Sequence, residues 1–167
     1  MRRDLDRLVL IWGAAWSLAA GCGRQPNSAA VTALQARAAE VDTLVFASMS
    51  AVAANAAPNV NETVADRAKA QDAYNATLAL PLMPTGTYNC PADFGVTYQL
   101  TFLGDGAQIM IASVDPNGCQ QVELTDGGSN AALLWTVQSG GYWVTLAADL
   151  GIEVNQIFPY FPPVSAD

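Results

Sequence analysis

Three cysteines and a scatter of aspartates are the residues in this 167-residue chain whose types could do chemistry. Cys22 ends an apolar run, and Cys90 and Cys119 lie in the second half. A thiol in such places takes a lipid, pairs as a disulfide or acts as a nucleophile. Asp93, Asp105, Asp115 and Asp126 fall at turns, where carboxylates can gather around Ca²⁺ or form a pair for glycoside cleavage. No loop has the alternating acidic spacing of a calcium site, and aspartate favours turns for backbone reasons of its own. Histidine is absent, which removes the usual general base, zinc ligand and neutral-pH switch. A serine–lysine dyad would need Lys69, the only lysine, on an expected exposed helix. The glycine pairs in GDG and DGG lack the setting of a phosphate cradle. The chain therefore reads as a non-enzyme without metal or cofactor.

The first cysteine has a context of its own. MRRDLDR is weakly basic, and Leu8 to Leu18 is apolar or small without a charge. As a helix that run rises about 16 Å, well short of the roughly 30 Å hydrocarbon core. It fits the apolar region of a secretory signal and is too short to span. LAAGC, closing on Cys22, resembles the lipobox of bacterial lipoproteins, with Ala19 where leucine is commonest. That resemblance implies cleavage before Cys22 and acylation of its sulfur and new amine. Several acyl chains make anchoring effectively permanent. Gly23 follows rather than the aspartate that resembles an inner-membrane retention signal, so the outer membrane and the outer leaflet of a single membrane both stay open.

The chain from Cys22 keeps four basic residues, Arg24, Arg37, Arg67 and Lys69, against thirteen acidic ones, a net charge of −9. Such a surface repels a phosphate backbone, so nucleic acid is excluded as a partner. With Cys22 assigned to lipid, Cys90 and Cys119 form an even pair in an oxidising compartment. A thiol made reactive needs a neighbouring cation or base, so a structural disulfide is expected.

These residues must be held by elements. Apolar residues at Val31, Leu34, Ala38, Val41, Val45 and Val52 recur in steps of three and four, which predicts a helix from Ala29 to about Ala57. Asn59–Leu80 reads as a second helix, capped by Asn59 or Asn61 and ended by Pro81. In VTYQLTF, Val96, Tyr98, Leu100 and Phe102 alternate with polar residues, which predicts a half-buried strand. A turn at Gly104-Asp105-Gly106 leads to a second strand, Ala107–Val114, and Asp115-Pro116-Asn117-Gly118 is a further turn. Cys119–Thr125 and ALLWTVQ are expected as strands three and four. Tyr142, Trp143, Leu146, Ala147 and Leu150 lie on one helical stripe, with Gly151 placed for a C-cap. Pro159, Pro162 and Pro163 make the end an extended tail.

The expected class is α+β: N-terminal helices, then a small antiparallel sheet of about four strands, a C-terminal helix and one disulfide. The divisions are a signal peptide at 1–21, a lipid-anchored tether at 22–28, a helical region at 29–80, and a disulfide-pinned β-rich region with its helix and Pro-rich tail at 81–167.

Leu80-Pro81, GTYNCPADFGVTYQLTF, NGCQQV and LAADLGI together resemble a domain of uncharacterised bacterial lipoproteins and secreted proteins. Its hallmarks are a helix running into Leu-Pro, a Cys-Pro pair, a Tyr-x-Leu-x-Phe strand and a Gly-Cys that pairs with the first cysteine. The likeness runs from about Asp66 to Ile152. It implies a lipid-anchored domain of unknown function and brings no catalytic residues. The expectation is an extracytoplasmic lipoprotein with a non-enzymatic binding or structural role, its partner an envelope protein or cell-wall component. Exposed strand faces and the aromatics Tyr98, Trp135, Tyr142 and Trp143 are the expected binding surface. A secreted-protease inhibitor is the alternative, and a carboxylate-dependent hydrolase using Asp93 and Asp105 stands behind it.

Overall fold

The alanine-rich stretch near the N-terminus does not make one long helix. In a computed structural model, which describes residues 28–50, 60–90, 95–127, 130–136 and 140–157, helix α1 (Ser28–Gln35) ends after eight residues. A single 3₁₀ turn, Ala38–Glu40, follows, and Thr43–Ser50 is a strand, β1. The steps of three and four that suggest a helix also contain an alternation. Leu44 and Phe46 are buried while Val45 and Ala47 on the other face are only half-buried. The β-branched Thr43 and Val45 favour the pleated form.

The second expected helix is also divided. Asn61–Val64 is a short strand, β2, paired antiparallel with β1, and the helix α2 covers Arg67–Leu78. Its N-cap is Asp66, not Asn59 or Asn61. The Asp66 carboxylate accepts from the N–H groups of Ala68 at 2.9 Å and Lys69 at 3.3 Å, two of the donors that a helix start leaves unmatched.

Between Gly95 and Gly151 the four expected strands and the helix are all present, with some bounds shifted. β3 (Val96–Gly104) and β4 (Ala107–Val114) form a hairpin. Its two-residue turn has Asp105 at φ +50° and Gly106 at φ +76°, the twist that suits a tight antiparallel connection. β5 is Gln121–Thr125, starting two residues later than expected because Gln120 is left-handed at φ +51°. β6 is Asn130–Trp135. Helix α3 (Gly140–Leu150) ends at Gly151, φ +72°. There the N–H of Ile152 reaches Ala147 O at 3.0 Å and that of Gly151 reaches Ala148 O at 3.2 Å, the paired bonds of a glycine C-cap. A single turn, α4 (Val154–Ile157), follows.

The sheet thus has six strands, not about four, all antiparallel in the order β2-β1-β3-β4-β5-β6. Alternation puts one continuous apolar face on the helix side. Cross-strand neighbours Leu44, Phe102 and Met110 form one row, and Phe46, Leu100, Ala112, Leu124 and Ala132 another. α1 packs against β6, α2 against β1 and β2, and α3 against α2 and β2. Tyr74 of α2 meets Phe102 edge to face at 5.1 Å and donates its hydroxyl to Leu34 O at 2.8 Å, which ties α1 to the same core.

Candidate functional site

The helix-side core takes most of the aromatics that the sequence marks as a binding surface. Tyr98 has no exposed area, because it shares the parity of Val96, Leu100 and Phe102. Its ring stacks on Phe46 at 5.1 Å. Tyr142 and Trp143 are 5% and 2% exposed and meet edge to face at 5.3 Å; their stripe on α3 is the packing face. These three are core residues, and the expectation that they form a surface is corrected. Burial holds the Tyr98 and Tyr142 hydroxyls protonated, each pushed up to about 12.

Trp135 behaves differently. It lies on the opposite face of β6, half-buried, with its indole N–H donated to Cys119 O at 2.9 Å. The ring of Tyr88 lies 5.8 Å away. Cys90 and Cys119 are joined as a disulfide, with Cα atoms 4.8 Å apart. The bridge fastens the segment after α2 to the β4–β5 turn. That segment also finishes the sheet: Pro81 O accepts from Trp135 N–H at 2.9 Å, and Met83 N–H donates to Leu133 O at 3.0 Å, with Leu82 bridged to Leu134. The β6 edge is thereby covered, and a proline with no N–H to offer sits in the covering strap.

Among the described residues no helix covers the other face of the sheet, whose side chains are mostly half-buried. One cross-strand row reads Thr63, Val45, Thr101, Ile111, Thr125. The next reads Asn61, Ala47, Gln99, Ser113, Glu123, Leu133. Glu123 is the single charge in these two rows, within a chain of net charge −8. Gln99 donates to Thr101 Oγ1 at 3.3 Å, so polar side chains here bond to one another along a strand. Two large apolar residues with substantial exposure, Met49 at 53% and Leu133 at 36%, lie on this side. The sequence points to exposed strand faces, but it misses the contribution of β1 and β2, and it misses Tyr88. The signal for β1 was the alternation through Leu44 and Phe46.

Asp42, Asp66, Asp105 and Asp115 serve turns and caps. Asp105 donates its backbone N–H to Asp42 Oδ2 at 2.7 Å. That bond, with the hydroxyl of Thr43 at 2.8 Å, holds the Asp42 carboxyl below its ordinary range. Asp115 Oδ1 accepts from Asn117 N–H at 2.8 Å inside its own turn. Among the described residues no three metal-ligating side chains gather at one place. Cys22, Asp93, the signal segment and the Pro-rich tail lie outside the described residues. No helix among the described residues is long and apolar enough to cross a membrane. Comparison with protein families, with curated proteins and with solved structures finds no match to this chain.

Proposed function

We propose that this chain is a lipid-anchored extracytoplasmic protein that binds an uncharged, hydroxyl-rich cell-wall glycan on the open face of its sheet. The anchor is Cys22, on the strength of the LAAGC context. The observation that carries the binding role is the open face itself: two cross-strand rows of Thr, Ser, Asn and Gln, broken singly by apolar side chains and holding one charge.

Strands about 4.8 Å apart with same-face residues about 7 Å apart along each strand make a flat grid of hydroxyl and amide groups. A neutral polysaccharide offers hydroxyls at comparable spacing and brings no charge to desolvate against Glu123. The half-buried rings of Trp135 and Tyr88 at the β6 end supply a stacking surface for a sugar ring. A protein partner fits less well, because hydroxyl and amide side chains separate Ile111 and Leu133 from the Val45, Ala47 and Met49 column of β1, which leaves no broad dry patch of the kind such an interface centres on.

Co-sedimentation of the soluble domain with an insoluble neutral polysaccharide tests the reading. Binding is expected, and Ile111→Lys or Ser113→Lys should weaken it at least tenfold. Failure to sediment, or equal binding by both variants, removes the glycan reading. Capture of an envelope protein through the same face would replace it with the protein partner. Mass spectrometry of the protein from its host should find acyl chains on Cys22; a free thiol there would remove the anchor.

A further inference from the structure

α2 and α3 run antiparallel, and their contact has a polar group at each end. At one end Tyr142 OH meets Thr77 Oγ1 at 3.4 Å, and that hydroxyl donates to Ala73 O at 2.8 Å. Two turns further along α3 stands Asp149, only 9% exposed, with Oδ2 buried and without a hydrogen-bond partner.

Three features oppose a charge at Asp149. Burial removes its hydration. It is the penultimate residue of α3, where the helix dipole disfavours an anion. The charges that act on it come from the first turns of α2 and its cap: Asp72 and Asp66 repel it, and Lys69 alone attracts it. β2 also packs on α3 and carries Glu62, which is exposed, and the turn into α4 carries Glu153, also exposed. α4 has no charged residue, and Asp149 is the one charge on α3.

We infer that the α2–α3 contact is an acid-tightened clasp, closed when the Asp149 carboxyl is protonated and loosened when it ionises against Asp72 and Asp66. Burial first, and Asp72 next, push this carboxyl up from 3.8 to about 6. The folded protein then holds the proton more tightly than the unfolded chain does. The stability contributed is complete below about pH 4 and is lost as pH rises through about 6. An exported protein meets that range whenever its surroundings acidify, so the clasp would make the helix layer firmer in acid while the sheet is left unchanged.

The test is amide hydrogen exchange at pH 5 and pH 7.5, corrected for intrinsic rates, on the wild type, Asp149→Asn and Asp72→Asn. In the wild type, exchange in α2 and α3 should speed about tenfold from the lower to the higher pH, relative to β3 and β4. Asp149→Asn should abolish that difference, and Asp72→Asn should reduce it. Equal acceleration in sheet and helices, a wild-type profile retained by Asp149→Asn, or an NMR titration of the Asp149 carboxyl centred near 4 would each overturn the inference.

Discussion

Tyr98 shows how two opposed effects of similar size meet in one side chain. Burying its ring against Phe46 contributes roughly 2 kcal/mol, yet its hydroxyl is buried with no partner, which costs about 1–3 kcal/mol. Tyr98→Phe keeps the stacking and removes the unmatched group, so it should raise stability by about 1 kcal/mol, read as a higher urea midpoint with an unchanged slope. Gly104 presents the opposite case. A Cβ there would run into the carbonyl oxygen of Glu40 and lie 2.7 Å from Ile109 Cδ1. The first obstacle is backbone and cannot rotate away. Gly104→Ala should therefore cost about 2–3 kcal/mol, measured by the same denaturation. That close approach brings together the end of β3, the 3₁₀ turn before β1 and the bulge near Ile109, and no spacing rule in the sequence announces it.

Among the elements, the strap from Pro81 to Cys90 matters most for the site. It completes the sheet beside β6, carries Tyr88 to Trp135, and is fixed to the β4–β5 turn by the disulfide. The bridged cysteines are 29 residues apart, so closing the loop limits the unfolded chain by roughly 3–4 kcal/mol on the chain-entropy account. Cys90→Ser with Cys119→Ser should lower the stability by about that amount. Protease cutting within 84–90 should rise before the sheet itself unfolds. The cysteine pair was readable from its even count and expected compartment, and β3 to β6 from alternation and turn residues. β1 and β2 were not, because TLVFASMS satisfies both a helical and a strand period. Its state is settled by pairing with β3, Leu44 opposite Phe102 and Phe46 opposite Leu100.

For the molecule as a unit, the arrangement is two layers: helices on one face of six strands, and an opposite face left free of helix among the described residues. A lysine placed on that face, as in Ile111→Lys, leaves the helix-side core intact. It should change stability by no more than about 1 kcal/mol while it disrupts binding, and this separation is what makes the binding test readable. Composition and local pattern were enough to establish an acidic α+β chain without histidine. They also placed the β3–β4 hairpin, the Gly151 cap and a bonded cysteine pair. The hairpin and the cap rest on turn sterics and period-two alternation, which act between near neighbours, and the cysteine pair on its even count. The inward side of Tyr98, Tyr142 and Trp143 also follows from local pattern, the strand parity of Val96, Leu100 and Phe102 and the apolar stripe of α3. Packing across the chain decided between two local periods for Thr43–Ser50 and enclosed Asp149 between helices, because both outcomes depend on partners distant in sequence whose contact free energy outweighs a weak local preference.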